Sequence, residues 1–303
     1  LALKSGNAVI LKGGKEAQNS NRVLAGLIRK TLSASNSAPE TSVGLVESRD
    51  EVAELVKMSA ELDLIIPRGS NELVQYIQKN AQVPVLGHAD GICHVFLDEA
   101  ADEAKSLEVS LDSKLDYPAV CNASETLLVH QNFTDKLLAD ILRKMQDAGV
   151  ELRVCAETEK RLQNFPQLKL KKADEEDWKT EYIDLILAVK SVKSAEAAVQ
   201  HINHYGSKHT DTIVTENAEL AEWFMNTVDS AGVFWNASTR FADGFRYGLG
   251  AEVGVSTGKI HARGPVGLEG LVIYKYKLYG NGHGVGRYSN AKRELLHENI
   301  ALD

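Results

Sequence analysis

From residue 7 onward, short apolar runs alternate with stretches in which apolar residues recur every three or four positions. This is the pattern of parallel strands alternating with covering helices, an α/β fold. Residues 8–11 read as a first strand. A polar turn with Gly13, Gly14 and Lys15 follows, and then Val23, Leu24, Leu27, Ile28 and Leu32 share one helical face. Residues 43–46 form a second run, and Ser48 with Glu51 makes a capping box that opens a helix carrying Val52, Leu55 and Val56. Residues 62–66 are a third buried run, followed by Pro67, Arg68, Gly69 and Ser70 and a helical stripe of Leu73, Val74 and Ile77. The runs 83–86 and 92–97 close this half.

A charged stretch at 98–105 precedes the second half, so a domain boundary is expected near residue 106. Strands are expected at 126–130, 152–155, 185–189, 212–215 and 233–236. Phe133, Leu137, Leu138, Ile141, Leu142 and Met145 make an amphipathic helix, and two more are expected at 195–204 and 218–228. The stretch 169–179 is dense in Lys, Asp and Glu and reads as a solvated excursion. Residues 240–270 hold eight glycines and read as loops. They lead into 271–279, an alternating strand with no partner in its own domain, of the kind that pairs with another subunit. Three parts result: 1–106, 107–263 and 264–303.

A net charge of −8 disfavours nucleic acid as a partner. No apolar run approaches the roughly 20 residues a bilayer span requires, so no membrane insertion is expected. Cysteines at 93, 121 and 155 match neither a disulfide framework nor a zinc motif and point to a reducing compartment. The start at Leu1 suggests part of a longer polypeptide.

The candidate chemistry falls at junctions between elements. Lys12, Gly13, Gly14, Lys15 and Glu16 lie between a strand and a helix, where glycines admit a nucleotide and lysines neutralise phosphate; two lysines suit the 2′-phosphate of NADP. An ordinary strand-to-helix turn is the alternative. Arg68, Gly69 and Ser70 lie at a comparable junction, although Ser70 could serve only as an N-cap. Cys121 stands in a polar loop ahead of a strand, placed like a nucleophile; a thiolate attacking an acyl phosphate gives a thioester that accepts hydride. Its alternative is a small buried apolar residue, the reading that suits Cys93 and Cys155. His201, His204 and His209 lack both zincin spacing and acidic companions, so no metal is expected. Asn236, Ser238, Arg240, Asp243, Arg246, Glu252 and Arg263 concentrate polar groups in the glycine-rich loops, as an amino-acid substrate needs, or else pair among themselves.

The segments LKGGKEA (11–17), CNASETLL (121–128), NASTRFADGFRYGLGAEVGVST (236–257) and HARGPVGLEGL (261–271) resemble γ-glutamyl phosphate reductases, of the aldehyde dehydrogenase superfamily. So does 192–213, with Val192, Ala198, Val199, His201, Ile202, Tyr205, Gly206, Ser207, His209, Thr210, Asp211 and Ile213 at the family's spacing. The details look like the reductase half of the bifunctional eukaryotic Δ1-pyrroline-5-carboxylate synthases, with a free-standing microbial reductase as the alternative. The resemblance implies an aldehyde dehydrogenase-like fold: a Rossmann-type NADPH domain, a second α/β catalytic domain and an oligomerisation strand, with the N-terminal part of the fold outside this sequence. It implies reduction of L-glutamyl 5-phosphate by NADPH to glutamate 5-semialdehyde, NADP and phosphate. Cys121 becomes the nucleophile, and Lys12, Gly13, Gly14, Lys15 and Glu16 with Arg68, Gly69 and Ser70 the cofactor contacts. Glu181 falls near the glutamate that touches the nicotinamide ribose. Asn122, Asn236, Ser238, Arg240 and Arg263 become substrate contacts, the two arginines for phosphate. Further implications are a homo-oligomer, a fused upstream glutamate kinase domain and a mitochondrial location, with the cytoplasm as alternative. Aldehyde-oxidising relatives carry a water-activating glutamate ahead of the cysteine, and residues 85–90 supply none, which favours reduction. The rival readings are an aldehyde-oxidising dehydrogenase and a catalytically silent assembly module.

Overall fold

The computed structural model describes residues 1–289. Leu1–Leu271 forms one unit, and residues from Val272 form a second. In chain order the first unit contains β1 (Val9–Lys12), α1 (Gln18–Ser35), β2 (Val43–Val46), α2 (Arg49–Leu55), α3 (Asn71–Asn80), β3 (Cys93–Leu97), α4 (Glu103–Leu115) and β4 (Ser124–His130). It continues through α5 (Asp135–Asp147), β5 (Glu151–Val154), α6 (Ala156–Arg161), β6 (Leu170–Lys172), β7 (Ile186–Val192), α7 (Ala195–Tyr205) and β8 (Thr210–Val214). The last elements are α8 (Ala218–Thr227), β9 (Gly232–Trp235), β10 (Gly254–Ser256) and β11 (Gly264–Val266).

β1 and β2 pair in parallel, with Val9 opposite Val43. The main sheet has seven strands in the order β6-β5-β7-β4-β3-β8-β9, and every pairing in it is parallel. β10 and β11 form an antiparallel pair. Side chains alternate across the sheet. Val95, Leu97, Leu127 and Val129 face a core built with Leu138, Ile141 and Leu142 of α5, while Phe96 and Leu128 face Ala198, Ile202 and Phe224 of α7 and α8. Phe96 and Phe224 stack with ring centres 6.1 Å apart. Burial on both faces is why these strands read as continuous apolar runs. No helix among the described residues is long and apolar enough to cross a membrane.

The helices form as expected, including the capping box, in which Glu51 N–H donates to Ser48 Oγ at 3.1 Å and Ser48 N–H to Glu51 Oε2 at 2.7 Å. Other expectations are corrected. Runs 62–66 and 83–86 meet only in a single parallel bridge, Ile65 opposite Val85. Pro84 contributes its carbonyl to that bridge but has no N–H to extend the ladder. β3, expected in the first half, is a central strand of the seven-stranded sheet, and residue 106 lies within α4. The helical face of α1 is present but uncovered: Val23 is 62% exposed and Leu24 57%.

The charged stretch 169–179 is not a free excursion. It supplies edge strand β6 and buries Ala173, Asp177 and Trp178. Its charges are retained by pairing, with Arg153 Nη1 at 2.7 Å from Asp177 Oδ1 and Lys171 Nζ at 2.5 Å from Glu151 Oε2. In the second unit, residues 272–279 form no strand, and Tyr274, Tyr276 and Leu278 are almost fully exposed. A lone segment without a neighbouring strand leaves its ladder groups to water.

Leu138 is fully buried in the α5 layer. Leu138→Ala is expected to lower unfolding free energy by about 2–5 kcal/mol, read from a denaturant midpoint. A loss below about 1 kcal/mol would show that this layer is not the core.

Candidate active site

β3, β4, β7 and β8 are neighbours in a parallel sheet, so their amino ends share one edge. His88 and Gly91 precede β3, Cys121 precedes β4, Glu181 precedes β7 and His209 precedes β8. The register brings them together. A Cβ placed on Gly91 would stand 2.2 Å from the Cys121 carbonyl oxygen and 2.4 Å from its Cα. No other residue allows that approach. The loop between α4 and β4 is pinned beneath by a buried pair, Lys114 Nζ to Glu125 Oε2 at 2.7 Å.

Cys121 is half-buried. Burial, reinforced by the negative charges of Glu181 and Glu252, pushes its thiol up to about 11, with Arg68 acting in the opposite direction. Glu181 and Glu252 are themselves raised by burial. Two carboxyl groups therefore act electrostatically on the sulfur, although neither comes from 85–90. Glu181 is followed closely by Ile183, which has φ +56°, a conformation that costs a β-branched residue of order 1–3 kcal/mol.

His88 Nδ1 lies 2.8 Å from the carbonyl oxygen of Val255. A carbonyl only accepts, so Nδ1 carries the proton and Nε2 of the neutral ring holds a lone pair. Burial lowers the His88 pKa and keeps the ring neutral. His209 is fully buried against it, with ring centres 5.0 Å apart, and burial drives it down to about 3. One nitrogen of each ring and the Cys121 sulfur lie within 4.8 Å of one another.

The Arg68–Ser70 junction reaches this site. Ser70 caps α3, accepting from Leu73 N–H, and the next residue, Asn71, hydrogen-bonds Asp90. Arg68 Nη1 would lie 3.2 Å from a Cβ on Gly254, and its charge acts on Cys121, His88 and Glu252. Arg68 forms no ion pair among the described residues.

The loop residues expected to hold substrate are mostly committed elsewhere. Asn122 donates to the Ala242 carbonyl at 3.0 Å and accepts from Arg240, which also pairs with Asp116 at 3.0 Å. Ser238 caps a short turn by accepting from Arg240 N–H. Asn236 exchanges hydrogen bonds with the Thr215 backbone. Arg263 pairs with Asp229 at 3.2 Å, alongside Lys259 and Lys208. Cys155, expected within a strand, instead caps α6 through a 3.5 Å contact from Thr158 N–H.

The glycine turn after β1 borders a shallow surface depression, away from Cys121, lined by Gly13, Gly14, Lys15, Gln18, Asn21 and the end of β2. A Cβ on Gly13 would fall 1.9 Å from Asn21 Nδ2, and one on Gly14 would fall 1.8 Å from Glu16 Oε1. Glu47, at the same depression, is paired with Arg22 at 2.8 Å.

Residues 1–162 match the aldehyde dehydrogenase family. γ-Glutamyl phosphate reductase of Acetivibrio thermocellus is 53% identical over 300 residues, spanning 99% of this chain and 68% of the relative. γ-Glutamyl phosphate reductase 1 of Synechocystis is 55% identical over 289 residues, spanning 95% and 65%. The crystal structure of γ-glutamyl phosphate reductase from Thermotoga maritima superposes with a TM-score of 0.89 at 43% identity, covering 94% of this chain and 68% of that one. The chain belongs to the γ-glutamyl phosphate reductase family.

For this member of the reductase family, the sequence pointed to Cys121, Arg68 and Glu181, which the fold brings together, but not to His88, Gly91 or the position of His209 beside them. The signal for the first two was the run Gly87, His88, Ala89, Asp90, Gly91 ahead of an apolar strand. His209 was grouped with its sequence neighbours His201 and His204, whereas the register of β8 carries it to Cys121. Alkylation of Cys121 in the cofactor-free protein is expected to rise with pH toward an inflection near 11. Glu181→Gln is expected to move that inflection down, because a negative neighbour is removed. An inflection unchanged by the substitution would show that Glu181 does not face the sulfur.

Proposed function

We propose that the chain reduces L-glutamyl 5-phosphate to L-glutamate 5-semialdehyde with release of phosphate, using NADPH, in proline and ornithine biosynthesis. One observation carries this reading: a thiol flanked by a histidine lone pair where four parallel strands begin, in a chain about half identical to reductases of that name.

Cys121 is the nucleophile. Its thiol is protonated at neutral pH, so a base must take the proton, and His88 Nε2 is the lone pair placed for it. The sulfur bonds to the acyl carbon, the bond from that carbon to the phosphate oxygen breaks, and a thioester results. Arg68 is the cation available to the departing phosphate, since Arg240 and Arg263 are already paired. A reduced nicotinamide, when bound, supplies hydride. The thiohemiacetal then collapses: the carbon–sulfur bond breaks, the aldehyde leaves, and His88 returns the proton to sulfur.

The turn after β1 fits the nucleotide. Its glycines let the flexible side chains of Asn21 and Glu16 lie against the backbone, where a phosphate would displace them, and Lys12 and Lys15 are exposed on the turn. The ion pair of Glu47 with Arg22 lessens repulsion of a 2′-phosphate, which supports NADPH over NADH. We read the exposed apolar residues around Tyr274 and Tyr276 as a subunit contact in a homo-oligomer. The fused kinase domain and mitochondrial placement of the eukaryotic synthases draw no support from the relatives from Synechocystis and Methanococcoides burtonii.

Glu181 and Glu252 favour a second reading, in which one activates water and the thioester is hydrolysed to acid. Phosphate dependence separates the two. In the full-length enzyme, semialdehyde oxidation is expected to require inorganic phosphate, and Cys121→Ser to lower both directions by at least about 10³-fold. Oxidation to free acid without phosphate would overturn the reductase reading. Lys15→Ala is expected to raise KM for NADPH by about 10-fold or more while leaving that for NADH within about 3-fold; equal effects would remove the 2′-phosphate role.

A further inference from the structure

We propose that Cys121, His88 and His209 form an inhibitory binding site for a thiophilic divalent cation, Zn2+. One sulfur and two imidazole nitrogens are the donor set zinc prefers, and the three donor atoms lie within 4.8 Å of one another. Tetrahedral zinc needs donor separations of about 3.3–3.6 Å, derived from bonds of about 2.0–2.3 Å. The site must therefore close by at most about 1.2–1.5 Å at its widest edge. Cys121 can supply this by rotation about χ1, and half-buried His88 by a small ring shift, while His209 stays fixed in the core.

Both rings are set for ligation. Metal-bound histidines characteristically engage their second nitrogen in a hydrogen bond that fixes tautomer and orientation. His88 Nδ1 donates to the Val255 carbonyl, and His209 Nδ1 lies 2.9 Å from Thr210 Oγ1. Cys93 Sγ lies 3.8 Å from the same His209 Nδ1 and donates to the Cys121 carbonyl at 3.3 Å. His209 Nε2 is fully buried and has no hydrogen-bond partner among the described residues. An orphaned buried nitrogen costs free energy that a bound cation would recover. Three protein ligands leave a fourth position for water.

Ligation forms a zinc–sulfur bond and releases the thiol proton to solvent. It removes the nucleophile and the proposed base together, so inhibition follows, but binding itself does not depend on the acyl substrate or on the reaction assigned above. The trio that lies close in sequence is a weaker rival: Lys190 Nζ sits 3.1 Å from His201 Nδ1 and opposes a cation there.

The test is binding rather than turnover. Metal-free protein is titrated with Zn2+ against a chromophoric chelator, and with Co2+ to reveal thiolate-to-metal charge transfer. The expected result is one ion per chain, a charge-transfer band, and chelator-reversible protection of Cys121 from alkylation. Cys121→Ser should abolish the band, and His88→Asn and Cys121→Ala should each weaken Zn2+ binding at least about 10-fold with circular dichroism unchanged. Absence of stoichiometric binding, a band that survives Cys121→Ser, or affinity unchanged in either His88→Asn or Cys121→Ala would overturn the site.

Discussion

The functional centre depends on parallel register. Because β3, β4, β7 and β8 run the same way side by side, whatever precedes each strand is delivered to one edge of the sheet. The contact that makes this a site rather than a cluster of loop ends is Gly91 against Cys121, where the two backbones approach too closely for any side chain on the glycine. That approach fixes the cysteine's main chain and leaves its side chain to face His88 and His209. The price of convergence is burial, which holds the sulfur protonated with added help from the negative charges of Glu181 and Glu252.

A thiol raised to about 11 is inert at neutral pH, and that suits a nucleophile awaiting its partners. Arg68 already opposes the carboxyl groups. In the proposed reaction the anionic acyl phosphate is drawn to the same arginine, while burial keeps His88 neutral and able to accept a proton. On the proposed reading the opposed charges divide the work, with the arginine attracting the leaving group and the histidine holding the proton. Arg240 and Arg263, which the family resemblance offered for phosphate, serve as struts: one joins the Asn122 side chain to Asp116, the other ties the hairpin strands to Asp229.

Much of this was legible in the sequence because two-sided burial makes strands into apolar runs and helices into stripes. β4, β5, β7 and α5 were readable in that way. Apolarity alone misled at 62–66 and 83–86, where Pro84 halts the ladder, and at 169–179, where paired charges hide a buried Trp178 and an edge strand. Cys121 was legible as a cysteine in a polar loop. His88 and His209 were not, because they lie far apart in sequence and become neighbours only through strand order, in which β8 lies beside β3 although it follows β7. Sequence proximity instead grouped His209 with His201, which the fold sends into the core under Trp178.

The central claim is that Cys121 becomes acylated during turnover. Full-length enzyme mixed with the acyl phosphate in the absence of reduced nicotinamide, quenched in acid and mapped by peptide mass spectrometry, addresses it directly. The account predicts a single hydroxylamine-labile acyl group on the peptide containing Cys121, discharged to aldehyde when NADPH is added. An acyl group on any other residue, or product formation with no acylated cysteine on the reaction timescale, would contradict it.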